Sequence, residues 1–145
     1  MYPVLELAKY IVSKCIGDKC QISNLQLQKI LYYIQREFLQ KVGRPAFTES
    51  IEAWPFGPVV PEVYYYFCGA GAMPISLCPE PTKEILSMPE EYIQIIDSII
   101  ESKRKLNPWD MVSETHKPGG AWYSVYRGGY GNRSTISRKQ IRELG

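Results

Sequence analysis

The chain carries a single histidine, His116, so any mechanism built on a histidine base must pass through it. A serine or cysteine nucleophile needs such a base within hydrogen-bond reach and a turn that presents it. His116 stands in Thr115-His116-Lys117-Pro118, at the end of a short expected helix, and no nucleophile-elbow pattern accompanies any serine or cysteine. The residues favour a structural histidine that caps a helix end or bonds a carbonyl. Cys15, Cys20, Cys68 and Cys78 lack the paired CxxC spacing of a zinc site. Gly128-Gly129-Tyr130-Gly131-Asn132-Arg133 is glycine-rich, but no Lys-Ser/Thr pair follows it as a phosphate loop requires. Glu49 and Glu52 fall on opposite faces of an extended segment, and Glu90 and Glu91 open a helix where acids favour the dipole. The expectation is therefore no catalytic residue, no cofactor, no metal, and a chain that is not an enzyme.

What remains is chemistry of contact. Trp54, Phe56, Tyr64, Tyr65, Tyr66 and Phe67 crowd a segment punctuated by Pro55, Gly57, Pro58 and Pro61. Successive residues on a helix lie about 100° apart, so Tyr64, Tyr65 and Tyr66 cannot all point inward. At least one ring is expected outside, where an aromatic beside a rigid corner suits a protein partner. The alternative is that the rings cover the core and only their hydroxyls meet solvent. Further on, Arg127, Tyr130, Arg133, Arg138, Lys139 and Arg142 interleave basic and aromatic groups. Such a run can contact nucleic acid. A solvated end with rings folded back on the core is the preferred reading, since no nucleic-acid-binding motif is legible.

The elements that must position these groups read as helices around one short extended arm. Pro3, then Val4, Leu7, Ala8, Ile11 and Cys15, give a first amphipathic helix stopped at Gly17. Ser23 with Gln26 forms a capping box for a second, whose apolar face is Leu27, Ile30, Leu31, Ile34 and Phe38. Gln28, Lys29, Gln35 and Arg36 are expected off that face. Phe47 to Trp54 reads as a strand or extended arm, and Pro61 opens a helix through Phe67. Residues 69–88 have loop composition, with a short extended piece near Ile75. Pro89 starts another helix, Asn107-Pro108 a short one through Glu114, and Ser137 can cap a last basic one. The fold class expected is mainly α: a compact helical domain with a small β element near residues 47–54.

Bulk composition fits one domain over residues 1–145, with 45% apolar residues. No stretch has the length of apolar sequence that spans a membrane, and no secretory signal is legible, so a cytoplasmic protein is expected. Charge is uneven. Residues 1–100 hold 8 basic and 11 acidic side chains, whereas residues 101–145 hold 9 and 4. Residues 124–145 are read as a basic C-terminal extension.

Several runs, taken together and in order, resemble a known family. They are Leu25-Gln26-Leu27-Gln28-Lys29-Ile30-Leu31-Tyr32-Tyr33, then Gly43-Arg44-Pro45-Ala46-Phe47, then Ile51 to Pro61 (Ile-Glu-Ala-Trp-Pro-Phe-Gly-Pro-Val-Val-Pro), then Thr115-His116. The chain resembles the Panacea domain, the SocA-like antitoxin family, members of which are also known as phage-associated proteins. The likeness covers roughly residues 3–125. The family's Pro-Trp is replaced by Gly119-Gly120-Ala121-Trp122, which keeps the tryptophan and loses the proline. The resemblance implies a mainly helical fold and an antitoxin that binds and neutralises a cognate toxin. It also implies a link to an ATP-dependent protease, to which one kind of member delivers its toxin. The family positions here are Gln28, Lys29, Tyr32, Tyr33, Glu52, Trp54, Gly57, Pro58, Val59, Thr115 and His116, read as holding the fold. Partner binding is assigned to Tyr64, Tyr65, Arg127, Arg133 and Arg138. The alternative function is a phage or prophage regulator that binds nucleic acid through the basic end.

Overall fold

Ser23 begins the helix around which everything else is arranged. Its hydroxyl accepts the Gln26 N–H at 3.3 Å while the Gln26 side chain accepts the Ser23 N–H at 2.9 Å, so two orphan donors of the first turn are satisfied. The computed structural model, which describes residues 1–145, places this helix, α2, at Asn24–Glu37. It continues through one π-helical turn, Phe38–Val42, and stops at Gly43 in the left-handed region. The preceding helix, α1 (Val4–Gly17), lays Val4, Leu7, Ala8, Ile11, Val12 and Cys15 into the core, as its spacing predicts.

One expectation fails in α2. Gln28, Lys29 and Gln35 were placed off the apolar face, yet all three are buried with Leu27, Ile30, Leu31 and Ile34. The helix is enclosed on all sides: α1, the hairpin described next and later helices all pack on it. A polar side chain on such a helix must find partners inside the protein.

After α2 the chain forms a hairpin, β1 (Ile51–Trp54) and β2 (Gly57–Val59), in antiparallel register Glu52↔Val59, Ala53↔Pro58 and Trp54↔Gly57. The Pro/Gly corner is thus itself a strand. Pro58 is tolerated because β2 lies at the sheet edge. Phe47 to Ser50, expected as strand, lie outside the sheet. There the Gln35 amide takes the ladder's place: it accepts from Ala46 N–H at 2.9 Å and donates to the Phe47 carbonyl at 2.9 Å.

Pro61 opens α3 (Pro61–Tyr66), and a single 3-10 turn follows at Cys68–Ala70. The loop-like stretch 69–88 contains one short helix, α4 (Lys83–Leu86), with Ile85 buried beneath it. Next come α5 (Glu90–Lys103) and α6 (Pro108–Thr115), the latter capped by Asn107, whose side chain accepts the Trp109 N–H at 2.8 Å. Ala121–Tyr126, read only as aromatic and glycine-rich, is a helix, α7.

Residues beyond α7 supply β3 (Thr135–Ile136) and α8 (Arg138–Leu144). β3 pairs antiparallel with β1, Ile51↔Ile136, giving the sheet order β2-β1-β3. Ile136 and Ile141 are both part of the main apolar core. The fold is mainly helical, with a small three-stranded antiparallel sheet. No helix is long and apolar enough to cross a membrane.

Candidate functional site

Several of the positions that carry the resemblance lie where α2 meets the hairpin. Gln28 accepts the Val60 N–H at 2.9 Å and donates to Asn24 Oδ1 at 2.9 Å, while Asn24 donates to the Tyr64 carbonyl at 3.0 Å. This chain of bonds joins α2 to the end of β2 and to α3. Lys29, one residue on, is fully buried and its ammonium donates to the Pro58 carbonyl at 3.3 Å. It makes no ion pair. Burial without a counter-charge disfavours the ammonium and pushes the pKa down to about 7.

Gly57 makes room for this lysine. A methyl group on Gly57 would lie 2.7 Å from Lys29 Cε and 2.9 Å from both Lys29 Nζ and Thr115 Oγ1. Its φ of +117° is also one that side-chain-bearing residues rarely adopt. Thr115 donates its hydroxyl to the Val112 carbonyl at 3.0 Å. His116 stacks flat on Trp122, with ring centroids 3.6 Å apart, and Trp122 in turn stacks on Tyr126 at 4.6 Å. Burial lowers the His116 pKa, the nearby Lys29 charge adds to this, and a bond with the Phe56 backbone opposes both. The Trp122 indole N–H donates to the Trp54 carbonyl at 2.8 Å, which ties α7 to β1.

Tyr32 and Tyr33 lie on another side of α2. Tyr33 donates to Glu114 at 2.7 Å and carries the Lys103 ammonium over its ring at 4.2 Å. Burial raises the Tyr32 pKa to about 12. The carboxylates of the arm have separate tasks: Glu49 accepts the Val4 N–H at the start of α1, and Glu52 accepts the Trp54 indole N–H at 2.9 Å. All four cysteines are free, and no three His, Cys, Asp or Glu side chains gather as a metal site would need.

Above this junction the surface opens into a cleft of about 590 Å³. Trp54, Tyr64, Phe56 and Trp109 are among the residues that line it. Phe56 and Trp109 meet edge to face at 5.7 Å and are 56% and 59% exposed. Tyr65, 53% exposed, touches the Trp54 ring, with centroids 6.0 Å apart. Arg133 lies over the Trp54 ring at 4.4 Å and donates to the Tyr65 hydroxyl at 3.3 Å. Of the five residues assigned to partner binding, Tyr64, Tyr65 and Arg133 meet here. Arg138 lies elsewhere, reaching the Thr48 carbonyl at 3.5 Å, and Arg127 caps α7 in a left-handed conformation. Trp109 was missed. Its position in the first turn of a polar-looking helix after Asn107-Pro108 marked only a cap, although a tryptophan on so short a helix was itself a signal.

Residues 27–123 match the family described as Antitoxin SocA-like, Panacea domain. The chain belongs to this family. The matched span takes in α2 from Leu27 onward, the hairpin and the stacked His116 and Trp122, and stops before β3 and α8. The chain is also similar to Antitoxin SocA of Caulobacter vibrioides (strain NA1000 / CB15N), with 30% identity over 131 residues, covering 84% of this chain and 69% of that relative. No solved structure matches it. Within the matched span, Lys29 fills the space that Gly57 leaves and bonds the Pro58 carbonyl.

Proposed function

We propose that this chain is an antitoxin that neutralises a cognate toxin by holding it directly, with the aromatic cleft as the docking surface. The observation that carries the reading is the cleft lined by Trp54 and by the exposed rings of Phe56 and Trp109, with exposed Tyr65 packed against Trp54 beside it. Exposed aromatics around a concave, well-packed floor have the make-up of an interface hot spot. Membership in the SocA-like family and the likeness to Antitoxin SocA supply the role. In this reading Gln28, Lys29, Gly57, Pro58, Thr115 and His116 keep the floor in shape. Tyr64, Tyr65 and Arg133 touch the toxin, while Arg127 and Arg138, which lie away from the cleft, are not needed for docking there. Delivery of the bound toxin to an ATP-dependent protease is a further step, and it requires the toxin's half-life to fall when this protein is present.

The test is co-expression with the product of the neighbouring gene. The wild-type chain should restore growth, and the double variant Phe56→Ala, Trp109→Ala should lose that rescue while folding normally. Full rescue by the double variant would remove the cleft as the docking surface. A neighbouring product that is harmless alone would remove the antitoxin role.

A further inference from the structure

The cleft holds one charge and has little other polar capacity to spare. Arg133 is the only charged side chain on its lining. Ser23, Asn24 and Gln28, the polar lining residues of α2 and its cap, are bonded to Gln26, Tyr64, Val60 and one another. Arg133 is different. Its guanidinium makes no ion pair and bonds only the Tyr65 hydroxyl. Its backbone sits at φ +66°, in the left-handed region, held by a 2.7 Å bond from its N–H to the Ala53 carbonyl. A residue with a side chain is strained there relative to glycine. The turn lays the exposed guanidinium over the Trp54 ring.

We infer that the cleft takes an aromatic side chain of the partner protein flanked by a carboxylate, the ring seated against Trp54, Phe56 and Trp109 and the carboxylate on Arg133. The inference rests on the proposed toxin-binding role and names the chemistry of the segment that docks. Rings packing edge to face on Trp54 and Trp109 add attraction beyond buried area. A planar guanidinium already fixed on an aromatic face loses little freedom in pairing with a carboxylate. A basic or phosphate-free neutral segment would leave Arg133 covered and unpaired, which is costly.

Small probes test this on the full chain without the toxin. N-acetyltryptophan carries ring and carboxylate, N-acetyltryptophanamide the ring alone, and tryptophanamide a ring with a cation. NMR titration should shift the Trp54 and Trp109 indole signals, with N-acetyltryptophan binding about fivefold tighter than its amide and tryptophanamide weakest. Arg133→Gln should abolish the difference between acid and amide while keeping amide binding. Equal binding of acid and amide by the wild type, or no shift at either indole, overturns the inference. Sedimentation of the free chain decides a rival occupant: self-association that Arg133→Gln removes makes a second copy the occupant and also overturns it. The co-expression rescue separates the two levels. Loss of rescue in the Phe56, Trp109 double variant with no acid preference leaves the docking reading standing and sinks this one. Acid preference with rescue unaffected by the double variant sinks the docking reading and the assignment of this chemistry to a toxin.

Discussion

The Lys29 side chain occupies the volume that Gly57 leaves by having no Cβ. Two family positions 28 residues apart thus form one packing unit, with the Pro58 carbonyl as the lysine's acceptor. Gly57→Ala should cost about 2–3 kcal/mol, from a left-handed φ and from the clash. In a Lys29→Ala background the clash with the lysine is gone while that with Thr115 Oγ1 remains, and the same change should cost about 1 kcal/mol less. Urea unfolding of the four proteins gives the coupling. Equal costs in the two backgrounds would show that backbone strain alone sets the penalty.

Buried Lys29 makes stability rise with pH. Its pKa falls from 10.5 to about 7 on folding. Below pH 7 both states hold the proton and the cost of burying the charge is felt in full. Above it the unfolded chain binds more protons than the folded one, so stability climbs by up to ~1.4 kcal/mol per pH unit. Tyr10, Tyr32 and Tyr33, and the thiols of Cys15 and Cys78, are all pushed up by burial and act in the opposite sense at higher pH. The rise therefore occupies the window from pH 7 to ~9. Lys29→Met should flatten it and should not lower stability at pH 7, since the ammonium's desolvation is removed with little loss of volume. Denaturant midpoints at pH 7, 8 and 9 are the measurement, and an unchanged slope in the variant contradicts it.

Gln35 stands in for a missing strand. Gln35→Leu should cost about 1–3 kcal/mol, because the buried Ala46 N–H and Phe47 carbonyl lose their partner together. Gln40→Leu removes an exposed bond to the Arg142 carbonyl and serves as the control, with an effect within about 0.5 kcal/mol. Thermal or urea unfolding distinguishes them.

Ile141 lies in the main core although it sits in a basic C-terminal stretch. Ile141→Ala should cost about 2–5 kcal/mol, as for other buried isoleucines. A solvated appendage would show no change, so one unfolding curve separates the two situations.

The helices were legible wherever a cap and a period agreed. Ser23-Gln26 and Ser137 announced α2 and α8, and both boxes form. Pro3, Pro61 and Asn107-Pro108 marked starts in the same way. What escaped depended on long-range partners. β3 is two residues long and exists because β1 offers it an edge. Gln28, Lys29 and Gln35 looked like a solvated face because periodicity records only apolar spacing and cannot see that other elements cover every side of α2. At the cleft, the Tyr64-Tyr65-Tyr66 geometry pointed to exposed rings, and Tyr65 and Tyr66 are exposed. Trp109 meets Phe56 from 53 residues further along the chain, a juxtaposition no local pattern carries.

The pairing of β3 with β1 also sets a schedule for synthesis. Trp54 is made early, but the cation that covers it and the strand that closes its sheet belong to residues 133–136. At about 5–20 residues per second, several seconds separate the emergence of the two from the ribosome. During that interval the nascent hairpin exposes an open edge and an uncovered indole, a surface suited to chaperones. The cleft is completed only after residue 136 has left the exit tunnel, so the half-made chain does not yet carry it.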